Sequence, residues 1–199
     1  MRKREFIRLT KADRKKCEEF ADARCSGDTK LYEKRGGFKR VDIVAGAMAE
    51  IATYKFLRSK GIKVSKPDFQ IYEVGSKSYE ADLSIGNKKF HVKGQTYQSS
   101  LMYGESWLMQ KKDPLIRKPV EYPNIKNNYL VPCIVDIGGN NVHILGVPSF
   151  SVLHAHHCFS VPTVDRFKFT KVAIYSETLE WALTYNSLWG VVSTLGGKR

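Results

Sequence analysis

The sequence predicts an α/β domain, and three patterns carry that expectation. Apolar residues recur every 3.6 positions between Asp42 and about Lys60, pairs of strand-like runs flank Gly86-Asn87 and Gly138-Gly139, and helix-forming stretches stand at both ends of the series. The chain has 199 residues, 42% hydrophobic and 27% charged, the composition of one folded unit long enough to build a core without disulfides or a structural metal.

Thr10-Lys11-Ala12-Asp13 reads as a helix N-cap with an acid at its third position, opening a helix that runs to about Arg24 and stops at Ser26-Gly27. Residues 28–40 read as a basic loop. The second helix buries Ile43, Val44, Ala47, Met48, Ile51, Ala52 and Phe56, and Gly61 ends it. Strand-like runs follow at Ile62 to Val64, Phe69 to Val74, Tyr79 to Ile85 and Lys89 to Thr96; Gly86-Asn87 suits a two-residue hairpin turn with glycine at its first central position. Residues 97–128 form a polar, proline-punctuated excursion with one short helix expected near Trp107, and excursions of that length are usually functional. Tyr129 to Asp136 and Asn141 to Val147 make a second hairpin, and Ser176 to Trp189 a closing helix. The chain thus divides into a basic N-terminal helix and loop (1–40), a core (41–96 and 129–190) and the excursion (97–128).

Lysine and arginine number 33 against 20 acids, a net charge of +13, and residues 1–40 alone hold 14 basic and 7 acidic side chains. So large and concentrated a surplus implies a polyanionic partner, nucleic acid before an anionic membrane. No stretch approaches the roughly 20 apolar residues of a bilayer span, no signal peptide is visible, and no strongly amphipathic basic helix argues for a membrane surface. Cys17, Cys25, Cys133 and Cys158 are scattered without a Cys-x-x-Cys pair, as expected of reduced thiols in a cytoplasmic protein. The His154-Ala155-His156-His157-Cys158 run lacks the second ligand pair of a zinc site.

The first hairpin concentrates ionisable groups. A two-residue turn sets Leu83 opposite Phe90, Asp82 opposite His91, Ala81 opposite Val92 and Glu80 opposite Lys93. Alternation then puts Ala81, Leu83, Phe90 and Val92 on a core face and Glu80, Asp82, His91, Lys93 and Gln95 on the other. A half-buried hairpin also presents such a face to water. Glu50, however, lies on the preceding helix among Gly46, Ala47, Ala49 and Ala52, small residues that let a carboxylate approach a sheet.

Gly46-x-x-x-Glu50, Glu80-Ala81-Asp82-Leu83 and His91-Val92-Lys93-Gly94-Gln95 together resemble the PD-(D/E)XK nuclease superfamily. The motifs cover roughly residues 42–96 and the element order covers the chain. The resemblance implies a restriction-endonuclease-like fold, a mixed central β-sheet of four to five strands flanked by helices. It also implies divalent-metal binding by Asp82 and Glu50, with Lys93 holding the attacking water or the phosphate. Ala81 replaces the family's proline, and His91 stands where the family has Asp or Glu, which leaves one negative charge fewer.

That chemistry is coherent in its own terms. Phosphodiester hydrolysis needs the growing phosphoryl charge neutralised and hydroxide supplied near neutral pH, both of which Mg²⁺ or Mn²⁺ provides. Such cations need only one or two carboxylates beside water and substrate oxygens. His91 can orient metal-bound water, act as a general base or ligate Mn²⁺; Gln95 can bond the same phosphate or water. Lys34, Arg35, Lys39, Arg40, Lys88, Lys89, Lys111 and Lys112 are candidate phosphate contacts, and no acid occurs between Asp82 and Glu105. Tyr97, Tyr103 and Trp107 suit either base stacking or core packing. The expectation is a metal-dependent DNA endonuclease of phage or bacterial type, with restriction, homing and junction-resolving roles left open. A homodimer would explain paired cuts on two strands. The competing expectation is a catalytically inert DNA-binding protein on the same fold.

Overall fold

The computed structural model describes residues 4–26, 40–71, 81–110 and 127–185. In chain order these form β1 (Glu5–Arg8), α1 (Lys11–Ser26), α2 (Arg40–Ser59), β2 (Leu83–Ile85), β3 (Lys88–Thr96), α3 (Tyr97–Tyr103), β4 (Ser106–Gln110), β5 (Asn128–Asp136), β6 (Asn141–Ile144), α4 (Phe150–Ala155), a 3₁₀ turn (Asp165–Phe167), β7 (Lys171–Tyr175) and α5 (Ser176–Tyr185). The architecture is mixed α/β, a mixed sheet flanked by helices. Five strands run in the order β1-β6-β5-β3-β2, with β3 and β5 parallel and every other pair antiparallel. β4 and β7 form a separate antiparallel ribbon.

Local chemistry sets the best-defined elements. The Thr10 hydroxyl accepts from Asp13 N–H at 3.2 Å while Asp13 accepts from Thr10 N–H at 2.8 Å, the reciprocal cap that starts α1. Gly61, at φ +78°, stops the chain after α2. The β2–β3 hairpin pairs Leu83 with Phe90, Ser84 with Lys89 and Ile85 with Lys88, the register expected of a two-residue loop. Gly86 supplies the positive φ, +56°, that its first central position requires.

The five-stranded sheet separates two cores. On one face Phe90, Val92, Val131, Cys133, Val135, Val142 and Ile144 pack beneath α1 and α2. On the other, Leu130 and Ile134 of β5 pack against Trp107, Met109, Phe150, Leu153, Ile174, Leu179 and Leu183 of the ribbon and the C-terminal helices. β5 is covered on both faces and accordingly reads as an almost unbroken apolar run.

Several expected elements differ. Residues 62–71 form no strand; Pro67 and a run of charged residues intervene, and only Ser65 pairs, donating to Ser84 O at 2.9 Å and accepting from Ser84 N–H at 2.7 Å along the outer edge of β2. The expected strand from Tyr79 shrinks to Leu83–Ile85, with residues 72–80 outside the described part. Trp107 lies on strand β4 instead of a helix, 2% exposed, its indole donating to Cys133 O at 3.1 Å, so it belongs to the core. The short helix of the excursion is α3. Strands β1 and β7 and helix α4 have no counterpart among the elements expected from the sequence.

Close packing between α2 and the sheet centres on Gly94. A Cβ built there would lie 2.8 Å from the Ala45 carbonyl oxygen and 3.1 Å from Ala49 Cβ, whereas one at Gly46 would meet nothing within 4 Å. Gly94→Ala is therefore expected to destabilise the fold by about 1–3 kcal/mol through overpacking, read as a lower urea midpoint at unchanged slope. Gly46→Ala should raise the midpoint, since alanine in a helix interior gains about 0.5–1 kcal/mol over glycine.

Candidate active site on the β2–β3 hairpin

Beyond the last ladder pair of the hairpin, the backbone of β2 gives way to a side chain. Asp82 accepts from Val92 N–H at 2.7 Å, so its carboxylate takes over the edge donor that β2 has stopped pairing. One oxygen is thereby fixed against β3, and a carboxylate retains further acceptor capacity for a cation or a donor.

His91 faces Asp82 across the hairpin and lies half-buried on the second-core side, its ring edge-on to Phe150 with centroids 5.5 Å apart. Its Nε2 is 2.8 Å from Asn128 Oδ1 on β5. With that oxygen as acceptor, Nε2 carries the proton and Nδ1 holds the lone pair. Burial holds the imidazole below its ordinary value of 6.5; the Asn128 bond and the Asp82 charge oppose that shift, and Lys93 and Lys89 reinforce it. At neutral pH the ring is neutral, the state needed by a base or a ligand. Asp82, Lys89 and Lys93 thus all act on His91.

Glu50 stands on α2, which packs on the face of the sheet opposite His91 and Phe150. Ala49 touches Gly94, the residue after Lys93, and Glu50 is one helical step, about 100°, further round α2. It is half-buried, and its charge raises the Cys17 thiol of α1, a smaller influence than burial. Glu50 and Lys93 each stand one residue from that crossing. Carboxylates such as those of Asp82 and Glu50 are the ligands a hard divalent cation prefers. Among the described residues no three His, Cys, Asp or Glu side chains are gathered as a cage, and Mg²⁺ sites built from one or two carboxylates, waters and substrate oxygens do not require one.

Gln95 is engaged elsewhere. Its Nε2 donates to Gly104 O and its Oε1 accepts from Ser106 N–H, both at 2.9 Å, which ties the α3–β4 turn to β3. Arg40 forks onto Asp22 with bonds of 2.5 and 2.9 Å, a pair that lowers the Asp22 carboxyl. Lys88 and Lys89 sit on β3 beside the turn, Lys89 exposed. Lys34, Arg35, Lys39, Lys111 and Lys112 lie outside the described residues, as does Glu80. Asn128, which orients His91, is a site residue that sequence reasoning misses; it depends on the parallel β3–β5 register, for which the sequence carries no local signal.

No thiol competes for the chemistry. Burial pushes Cys17 and Cys133 up to about 12 and raises Cys158, so these remain protonated and unreactive at neutral pH. All four cysteines are free. No described helix is long and apolar enough to cross a membrane.

Two stability measurements probe this geometry. Asp82→Ala leaves Val92 N–H without its acceptor and should cost about 1–3 kcal/mol, whereas Asp82→Asn keeps an acceptor oxygen and should cost less, both read by urea unfolding. Because the folded state binds the His91 proton more weakly than the unfolded state, stability should fall as pH drops below about 6.5 and on through the depressed folded value. His91→Gln should flatten that part of the urea-midpoint profile between about pH 5 and 8.

Comparison of the chain with protein-family models, with curated proteins and with solved structures finds no match to any of them.

Proposed function

We propose that the protein is a metal-dependent DNA endonuclease of phage or bacterial type, with a restriction-endonuclease-like core in the manner of the PD-(D/E)XK nucleases. The observation that carries this reading is the hairpin: Asp82 anchored to the β3 backbone, opposite a neutral His91 that shares β3 with Lys93. Net charge supports a polyanionic substrate.

Asp82 and Glu50 would hold Mg²⁺ or Mn²⁺, which when bound neutralises phosphoryl charge and supplies hydroxide near neutral pH. The Val92 N–H keeps the Asp82 carboxylate from rotating away. His91, its Nε2–H directed at Asn128, offers Nδ1 to take a proton from the attacking water. Lys93 holds a phosphate oxygen or that water and favours the charge of the transition state.

The test is incubation of the purified chain with plasmid, linear duplex, single-stranded and four-way-junction DNA, with Mg²⁺, Mn²⁺ or chelator. Metal-dependent cleavage is expected, and Asp82→Asn, Glu50→Gln and Lys93→Ala should each abolish it while DNA binding persists. With His91 as base, the rate should rise with pH about a midpoint below 6.5, and His91→Ala should remove that limb. DNA binding without cleavage in any metal identifies the inert binder instead. Reversing Lys34, Arg35 and Lys39 should flatten the salt dependence of binding, by about 0.9 in log–log slope for each phosphate no longer neutralised.

A further inference from the structure

α3 exposes an apolar surface where a folded protein usually has none. Tyr97, Leu101, Met102 and Tyr103 are between 49% and 70% exposed, and no residue of the helix is buried. Chain ends and loose loops often carry such residues, but α3 is held at both ends by β3. The Thr96 hydroxyl accepts from Ser99 N–H at 3.2 Å to cap its start, and Gln95 grips Gly104 and Ser106 at its finish. Gly104, at φ +73°, turns the chain sharply between those two grips. The apolar tip is therefore fixed relative to Lys93, two residues before Gln95.

The surroundings are prepared for an anion. No acid occurs from Leu83 to Gly104, while Lys88, Lys89 and Lys93 do. The next carboxylate in the sequence, Glu105, is forked by Arg4 with bonds of 2.6 and 2.9 Å, which offsets its charge. An exposed pair of this kind contributes little to stability, so its consequence is electrostatic. Size also discriminates. Seven residues span about 10 Å, the reach of roughly three stacked nucleotides at 3.4 Å each, and fall short of the ~800 Å² per partner of a stable protein interface. Tyr97 and Leu101, four apart, share one side of the helix, offering a ring for stacking beside an aliphatic wedge.

Resting on the nuclease reading and narrowing its substrate, we infer that α3 is a base-contacting element that takes unstacked nucleotides, so that the protein prefers DNA with unpaired or branched positions over continuous duplex. The full chain, in chelator to prevent cleavage, would be titrated with a continuous duplex, the same duplex carrying an unpaired 2-aminopurine bulge, and a single strand. Wild type should bind the bulge more tightly than the duplex and change 2-aminopurine fluorescence. Leu101→Ser/Met102→Ser and Tyr97→Ser should lose about tenfold in bulge affinity while duplex affinity stays within about twofold; circular-dichroism melting checks that these surface variants fold as wild type does. Equal wild-type affinity for bulge and duplex, or variants that keep the preference, overturns the inference and leaves the DNA reading intact. A wild-type dimer that the variants turn into monomers with the preference unchanged makes α3 a self-association surface and overturns it too. Failure of wild type to bind any DNA removes both readings.

Discussion

The absence of a side chain at Gly94 governs the distance between α2 and the sheet. Because the Ala45 carbonyl occupies the space a Cβ would need, α2 lies on β3 at backbone contact, and the small residues of the helix have meaning only against that glycine. The approach carries the first core, since Phe90 and Val92 precede Gly94 on the same face and meet the same helix. It also sets Glu50 and Lys93 each one residue from the same crossing, although they belong to different layers. Interiors packed at this density transmit displacement, so a shift of α2 would move the candidate site as a unit.

Around that contact the polar groups beside β3 are each engaged. His91 is pressed toward neutrality by burial against Phe150. Asp82 spends one oxygen on a backbone donor, and Glu105 is covered by Arg4. The lysines of β3 are left as the dominant charge of the strand. Like charges gathered on one strand are the condition under which steering and focusing of an anion are effective.

Much of this is legible in the sequence wherever one or two residues decide the geometry. Thr10 with Asp13, the apolar period of α2, Gly61, and the Gly86-Asn87 turn with its register all act over short separations, and the structure contains each of them. The second hairpin belongs with them. What the sequence does not disclose is non-local. β1 is four residues long with Phe6 half exposed, so it shows little periodicity, and it exists because β6 offers an edge. β4 and β7 stabilise each other across a long separation. The same limit applies within the site: Asp82 opposite His91 follows from the turn, but the engagement of Gln95 by Gly104 and Ser106, and of His91 by Asn128, requires elements that only the folded chain brings together.

The parallel pairing of β3 with β5 sets a timetable for biosynthesis. His91 and Asn128 are 37 residues apart, so at about 5–20 residues per second β3 leaves the ribosome roughly 2 to 7 s before its central partner. During that interval the hairpin has one unpaired edge, the kind of surface that recruits other nascent chains into misfolded ladders. Lys88, Lys89 and Lys93 punctuate that strand, and repulsion between copies opposes edge-to-edge pairing. The lysines that set the charge of β3 in the finished protein thus also act as its gatekeepers while the chain is still being made.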